Sequence, residues 1–373
     1  MSCKSIAFFG SSLVSAYWNG AATYYRGILK ALAELDYAIT FYEPDAFGRQ
    51  QNRDLADPSY AVSVVYPATL DALDEQLADA ASADIIVKAS GVGVFDAYLE
   101  SRVLELKTMR NLVIFWDVDA PATLDRVIGD AADYFALLIP QYDFVLTYGG
   151  GRPVVQAYTT LGAKKCVPVY NALDPETHYP AEPDARFEAD LGFLGNRMPD
   201  REARVEEFFF KPARMLPTKR FLLGGNGWES NAPRLENVRT LGHIYTADHN
   251  AFNATPTAVL NISRESMARY GFSPATRLFE AAGAAACVVT DQWAGIETFL
   301  TPGEECLVAA NGSEVAQIVS GLSSEEAVKI GERARRRILA EHTYARRAAE
   351  LDDLLNERFQ DSSMEEAVWT AAR

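Results

Sequence analysis

Two arginines follow a short apolar run in the second half of the chain, in the stretch GNRMPDR. A guanidinium group matches the oxygens of a phosphate with two parallel hydrogen bonds, so arginine is well suited to diphosphates. Pro199 fits the first position of a helix, which predicts a strand-to-helix turn at this point. We therefore expect Arg197 and Arg201 to bind an anion; the alternative is an exposed ion pair with Asp200 or Glu202.

The stretch SPATRLFEAAG, which begins at Ser273, indicates a second anion-binding feature. Ser273 is predicted to cap a helix that has Pro274 in its first turn. The N–H groups of Ala275 and Thr276 would then lack partners within the helix and would favour an anion. Arg264, at the start of the same segment, is included among the candidate substrate-binding residues.

Glu280 is a candidate for binding a sugar. It follows Ser273 by seven residues, which at about 3.6 residues per turn returns to nearly the same helix face. Helical side chains lean toward the N-terminus, so its carboxylate could accept hydrogen bonds from a ribose diol beside the phosphates. The alternative is a surface ion pair with Arg277.

Two carboxylates, Asp117 and Asp119, directly follow an apolar run in the first half of the chain. At positions i and i+2 of an extended segment their side chains lie on the same side. We expect one of them to act as a base or to hold a sugar hydroxyl. A divalent metal carried on a diphosphate, or capping of a helix over 122–127, are the alternatives.

Loops rich in small residues follow other apolar runs. None has the pattern G-x-G-x-x-G, so a dinucleotide fingerprint is absent. Such turns bring backbone N–H groups close to a phosphate or sugar, or are plain tight bends. The candidates in the first half are Gly10, Ser11, Ser12, Asn19 and Gly20; those in the second half are Gly225, Asn226, His243 and Ile244. For His243 the alternative is a packed surface residue.

These residues require elements that bring them to one edge of a sheet. Six continuous apolar runs occur in each half, which is typical of strands buried on both faces of a parallel sheet. They cover 6–10, 38–42, 84–89, 111–116, 144–148 and 165–170, then 191–195, 221–224, 238–244, 258–262, 286–290 and 306–309. Helical periodicity lies between them, at 21–35, 70–81, 201–210, 276–285 and 324–339. The alternation predicts an α/β fold with two Rossmann-like, doubly wound parallel-sheet domains facing a central cleft.

The domain boundaries follow from a proline-rich, acidic stretch with no apolar period. We predict an N-terminal, acceptor-side domain over 1–170, a linker over 171–185 and a C-terminal nucleotide-sugar domain over 186–342. An amphipathic helix over 343–360, which could cross back to the N-terminal domain, and a frayed tail over 361–373 complete the chain.

Composition excludes several classes of function. The 373 residues carry 35 Lys and Arg against 51 Asp and Glu, a net charge of −16, which disfavours nucleic acid and anionic membranes. Four scattered cysteines are typical of a reducing compartment. With no apolar run long enough to span a membrane and no signal-peptide pattern, we expect a cytoplasmic protein.

The motifs resemble those of GT-B glycosyltransferases. The run SPATRLFEAAGAAACVVTD is similar to the donor-site helix of the retaining E-x7-E group, and this resemblance assigns ribose binding to Glu280. Phe272 occupies the position of the first Glu, so the resemblance leaves the sugar and the stereochemical outcome open. Arg197 with Arg201 is similar to the family's diphosphate clamp, and the stretch LGH to the one that contacts the base. FFGSSLVSAYWNG, FWDVDAPATL and DLGFLGNRMPDR resemble the CgeB-type, spore-maturation-like subgroup.

The resemblance implies a glycosyltransferase that moves a hexose from a UDP- or dTDP-linked sugar. The arginines and the helix dipole would neutralise the leaving diphosphate, with no metal and no other cofactor, and domain closure would exclude water. The acceptor, whether a saccharide, a protein or a small metabolite, and the oligomeric state stay open. The alternatives are a non-catalytic nucleotide-sugar-binding module and a nucleotide-sugar 2-epimerase.

Overall fold

The computed structural model describes residues 3–17, 19–228 and 232–371, with side chains described as far as residue 359. They form two compact units. The first unit comprises residues 1–170 and 344–373, and the second comprises residues 171–343. Each unit is described by itself.

The first unit contains a parallel sheet of seven strands in the order β3-β2-β1-β4-β5-β6-β7. The central strands are almost fully buried, which explains their continuous apolar sequences. The strands are β1 Lys4–Phe9, β2 Tyr37–Asp45, β3 Val62–Pro67, β4 Ile85–Ala89, β5 Leu112–Asp117, β6 Phe144–Thr147 and β7 Cys166–Pro168. The helices of its continuous part are α1 Ala22–Ala33, α2 Leu70–Ala80, α3 Asp96–Glu105, α4 Ala120–Gly129, α5 Phe135–Leu138 and α6 Gly151–Thr160.

The second unit contains a parallel sheet of six strands in the order β10-β9-β8-β11-β12-β13. The strands are β8 Leu191–Leu194, β9 Phe221–Gly224, β10 Val238–Gly242, β11 Ala258–Asn261, β12 Val288–Asp291 and β13 Leu307–Ala309. The helices are α7 Pro199–Val205, α8 Lys211–Met215, α9 His249–Ala254, α10 Glu265–Tyr270, α11 Thr276–Gly283, α12 Gly312–Gly321 and α13 Ser324–Glu341. A π-helical turn over Glu206–Phe210 joins α7 to α8. Its three phenylalanines are buried in the core cluster of this unit.

Both sheets are doubly wound. In each, the order of strands reverses at the first strand of the unit, between β1 and β4 and between β8 and β11. Ligands of open α/β sheets bind outside the carboxyl ends of the strands at such a reversal. The predicted fold class of two parallel-sheet α/β domains is confirmed.

Residues 171–185, predicted to be a linker, pack within the second unit. Leu173 pairs with Thr343 and is buried. A Cβ on Gly283 would meet the side chain of Leu173 and the carbonyl oxygen of His178, so this segment lies directly on α11. The prolines of the segment exclude regular structure but do not prevent packing.

The last helix, α14 Tyr344–Ala371, belongs to the first unit and packs against α1. It extends beyond residue 361, where we expected a frayed tail. Among the described residues, no helix combines the length and apolar character that a membrane span requires.

Candidate functional site

The strand reversal of the second sheet brings two arginine-bearing loops to the same edge. The loop with Arg197 and Arg201 follows β8, and Ser263 and Arg264 follow β11. Because β8 and β11 are neighbouring parallel strands, their carboxyl ends open at the same place. This edge is the candidate site of the second unit.

Arg201 is a partly buried cation that has no carboxylate partner among the described residues. Its Nη2 lies 3.2 Å from Sδ of Met198, and its Nε is buried without a hydrogen-bond partner in the same part of the chain. Burial lowers the pKa of Arg201, as do the positive charges of Arg264 and Arg277, whereas the charges of Asp200 and Asp291 act in the opposite direction. A guanidinium remains charged at neutral pH even so. Three nearby guanidinium groups, one of them unpaired, form a site that favours an anion.

The other two arginines of these loops are engaged in ion pairs. Arg197 donates from Nε to Oε1 of Glu202 at 2.9 Å. For this residue the structure therefore shows the alternative, an ion pair with Glu202. Arg264 donates from Nε to Oδ2 of Asp200 at 2.6 Å. The structure therefore singles out Arg201, not Arg197, as the cation most available to a ligand.

The glycine-rich loop after β9 holds the Arg197 loop in place. A Cβ on Gly225, whose φ is +124°, would lie 2.2 Å from the carbonyl oxygen of Gly195. The backbone N–H of Asn226 donates to Oδ1 of Asn196 at 3.0 Å, and that of Arg197 donates to the carbonyl of Asn226 at 2.9 Å. The glycines thus permit two backbone segments to approach each other closely, and Gly225 and Asn226 support the loop that contains Arg197.

The helix predicted to begin near Ser273 begins at Thr276, with Ala275 as its N-cap, so the prediction for Ser273 and Pro274 is wrong. The Ser273 hydroxyl donates to the carbonyl of Gly271 at 3.0 Å instead of capping the helix. The left-handed backbone of the preceding Gly271 and Phe272 turns the chain here.

The free amides at the N-terminus of α11 lie one residue further along the chain than the predicted pair, Ala275 and Thr276. Leu278 N–H bonds to the carbonyl of Ala275, which leaves those of Thr276 and Arg277 without intrahelical partners. The fully buried Asn171 braces this turn, donating to the carbonyl of Pro274 at 3.3 Å. Partial positive charge at this end of the helix adds to that of the arginines.

Glu280 lies on the buried side of α11, with only 6% of its surface exposed. Its Oε2 lies 2.9 Å from Nη1 of Arg277, so the ion pair weighed as an alternative is present, although buried and not on the surface. Burial alone would raise the pKa of Glu280, but the charges of Arg277, His178 and His249 lower it to about 2. The carboxylate is therefore ionised at neutral pH and can accept hydrogen bonds.

Two histidines that sequence analysis did not select face this carboxylate. Nε2 of His178 lies 3.8 Å from Oε1 of Glu280, while its Nδ1 lies 2.9 Å from the hydroxyl of Thr177. His249 contacts the carbonyl of Ile244 through Nε2, and burial with the nearby charge of Arg277 lowers its pKa to about 4. Nε2 of His178 and Nδ1 of His249 have no hydrogen-bond partner among the described residues.

The same three side chains could offer ligand atoms to a metal. One atom each from His178, His249 and Glu280 lie within 4.8 Å of one another, and two histidines with a carboxylate are a donor set that suits zinc. The guanidinium of Arg277, 2.9 Å from the carboxylate, opposes a divalent cation at this position. The cluster fits a polar ligand such as a diol better than an ion.

His243 and Ile244, expected at the site, lie at the end of β10. His243 is exposed and packs edge-on against Tyr245, with 4.7 Å between the ring centroids. Ile244 is buried among apolar side chains and contributes its carbonyl oxygen to His249. The histidines near the carboxylate are thus His178 and His249, and not His243.

Asp117, a predicted catalytic residue, is fully buried in the first unit. Its carboxylate accepts hydrogen bonds from the hydroxyls of Ser90, Thr123 and Tyr158 and from the N–H of Asp119. Burial raises its pKa despite these bonds. The expectation that Asp117 faces a substrate is wrong in this structure, because no part of its side chain is accessible. Asp119 is partly buried and is the N-cap residue of α4, with no side-chain cap bond.

The loop after β1 is held together by its own side chains. Ser11 donates to Asn19, and Ser12 donates to the buried carboxylate of Glu43. Asn19 donates to the carbonyls of Ser12 and Ser15. The polar residues of this loop therefore have an internal role, whereas around Gly20 there is open space for a side chain.

Comparisons with known proteins agree with this architecture. Residues 201–353 match the model of a family described as glycosyl transferase-like. No curated protein matches the sequence significantly. The structure is similar to Anabaena HepE solved with UDP and glucose, with a TM-score of 0.66 and 13% identity over 95% of this chain and 100% of that one. It is also similar to sucrose-phosphate synthase from Thermosynechococcus elongatus, with a TM-score of 0.69 and 12% identity over 96% of this chain and 100% of that one.

A third similar structure is AviGT4, a glycosyltransferase involved in avilamycin A biosynthesis, with a TM-score of 0.58 and 14% identity over 96% of this chain and 98% of that one. At such identities the likeness establishes the fold. The chain has the GT-B fold, and the predicted architecture is confirmed. The match to the glycosyl transferase-like family covers residues 201–353, most of which belong to the second unit.

Proposed function

We propose that this protein transfers a hexose from a UDP- or dTDP-linked sugar to an acceptor that is a saccharide, a protein or a small metabolite. The observation that carries the proposal is the partly buried Arg201 guanidinium, which has no carboxylate partner among the described residues and lies near Arg264 and Arg277 at the strand reversal of the second sheet. A diphosphate is the ligand that would offset this charge.

The same groups account for catalysis. When the bond from sugar to phosphate breaks, negative charge develops on the leaving diphosphate. Arg201 and the free amides of Thr276 and Arg277 are fixed before the reaction, so they stabilise that charge without reorganising. In this proposal the arginines and helix amides do the work for which other enzymes use a divalent cation.

Glu280 would bind the ribose. Its ionised carboxylate can accept two hydrogen bonds from a vicinal diol, and the unpartnered Nε2 of His178 offers a further polar contact. The UDP in the HepE structure, a protein of the same fold, supports a uridine nucleotide as the donor. Membership of the CgeB-type subgroup and a relation to the E-x7-E enzymes are part of this proposal.

Thermal-shift measurements with a panel of nucleotides and nucleotide-sugars test the class of ligand. We expect UDP or dTDP and their sugars to raise the melting temperature, and NAD and ATP to leave it unchanged. Release of nucleoside diphosphate from the stabilising sugar nucleotide, followed with and without EDTA, then tests turnover and its independence from metals. Stabilisation by dinucleotides alone would refute the proposal; binding without turnover would favour a binding module, and inversion at C2 an epimerase.

A further inference from the structure

Arg277 stands where a helix disfavours a cation. It is the second residue of α11, whose N-terminus carries partial positive charge. Its side chain is only 17% exposed, so water screens this repulsion incompletely. An arginine in the first turn of a buried helix end requires a compensating negative group.

Glu280 compensates Arg277 only in part. Nη1 of Arg277 lies 2.9 Å from Oε2 of Glu280, one turn later in the helix. Yet Nε and Nη1 are buried and make no well-aligned hydrogen bond with any described residue. A guanidinium has five N–H donors in a fixed fork, so Arg277 keeps donors for a second acceptor.

The position of Arg277 links two groups of side chains. Its charge acts on Arg201, in the loop after β8, and also on His249 and Glu280. The charge of one guanidinium therefore acts both on Arg201 and on the carboxylate of Glu280, from which it lies 2.9 Å away.

We propose that Arg277 is a third diphosphate-binding group that couples recognition of the diphosphate to recognition of the nucleoside. Without ligand it is paired with Glu280. When a nucleoside diphosphate binds, its guanidinium hydrogen-bonds the phosphate oxygens, and the carboxylate of Glu280 becomes available to the ribose hydroxyls. The inference rests on the proposed function and adds to it the expectation that a nucleoside without phosphates binds less tightly.

Calorimetry with UDP, pyrophosphate and uridine tests the inference on wild type, Arg277→Gln, Glu280→Gln and the double variant. Arg277→Gln is expected to weaken the binding of UDP and of pyrophosphate at least tenfold. It should leave the affinity for uridine unchanged or raise it, because Glu280 no longer pairs with Arg277. Glu280→Gln is expected to weaken the binding of UDP and of uridine but not that of pyrophosphate. In the double variant the two losses for UDP should be less than multiplicative, since each residue restrains the other.

Arg214→Gln is the matched control, because Arg214 forms an exposed ion pair with Glu206 away from the cluster; it should bind all three ligands as wild type does. Arg277→Lys keeps the charge but not the fork, and should lie between wild type and Arg277→Gln for pyrophosphate. It carries the test if Arg277→Gln does not fold. Wild-type pyrophosphate affinity in either variant that folds would overturn the inference, whereas a wild-type protein that binds neither UDP nor pyrophosphate would overturn the proposed function itself.

Discussion

Nε2 of His249 lies 3.3 Å from the carbonyl oxygen of Ile244, where a neutral imidazole can donate. The other nitrogen, Nδ1, is buried and has no hydrogen-bond partner among the described residues. Burial and the charge of Arg277 disfavour the protonated ring. The histidine therefore stays neutral in the folded protein at pH values well below its ordinary pKa.

This arrangement predicts loss of stability in mild acid. The pKa of His249 is about 4 when folded and about 6.5 when unfolded. Between these values only the unfolded chain binds the proton, so the free energy of unfolding falls as the pH falls. From pH 7 to pH 5 the contribution is about 1–2 kcal/mol. Urea unfolding at both pH values should show this loss in wild type and not in His249→Gln, which keeps an N–H donor; equal losses would show that His249 titrates normally.

A partly buried cation kept for a ligand should reduce the stability of the unliganded protein. Replacing Arg201 with Met removes an uncompensated charge flanked by two others, so we expect the unliganded protein to gain about 1 kcal/mol in urea unfolding. Arg204→Met is the contrasting variant. Arg204 pairs with the fully buried Asp291, and its loss should cost about 3–5 kcal/mol. Destabilisation by both substitutions would mean that Arg201 has a structural partner.

Asp117 is expected to stabilise the first unit and to have no part in nucleotide binding. The Asp117 carboxylate accepts four hydrogen bonds, whereas the NH2 group of an asparagine can only donate. Asp117→Asn should therefore lower the free energy of unfolding by about 1–3 kcal/mol. UDP affinity measured by calorimetry should not change. Asp45→Asn, at an exposed position, should alter neither quantity. A stable Asp117→Asn protein with weakened UDP binding would return Asp117 to the site.

Gly225 is expected to tolerate no side chain. With φ at +124° and the carbonyl of Gly195 in the place of a Cβ, Gly225→Ala should lower the free energy of unfolding by at least about 2 kcal/mol and displace the Arg197 loop. Gly321→Ala, where nothing lies within 4 Å, is the control and should be nearly neutral. Wild-type stability of Gly225→Ala would show that the two loops separate easily.

The strands could be predicted wherever both faces of the sheet are covered. All six predicted runs of the second half became strands. In β8, β9, β11 and β12 every residue is buried, and their continuous apolar sequence is a direct consequence of burial on two faces. Strand β3 was missed. It is an edge strand whose Val62 is 63% exposed, so its sequence has neither a continuous apolar run nor a clear alternation.

The site was predictable in its loops but not in its pairings. Helix α11 was placed correctly, but Ser273 followed by Pro274 also fits a turn stabilised by Gly271, which the local pattern does not distinguish from a cap. Whether Arg197 or Arg201 is paired depends on the path of the loop before α7, which contains Arg197, and on the side of α7 that Arg201 faces. His178 and His249 meet Glu280 from distant parts of the chain, and a lone histidine carries no signal of such a contact. The R-x-x-E spacing of Arg277 and Glu280 was visible and indicated their ion pair.

The central claim is that the unpaired guanidinium of Arg201 binds a diphosphate. Calorimetric titration of UDP into wild type, Arg201→Met and Arg197→Gln tests it most directly. We predict that Arg201→Met weakens binding by about 1–3 kcal/mol, the scale of a charge-assisted hydrogen bond, and that Arg197→Gln, which removes a cation already paired with Glu202, has a smaller effect. UDP affinity in Arg201→Met equal to that of wild type would contradict the account.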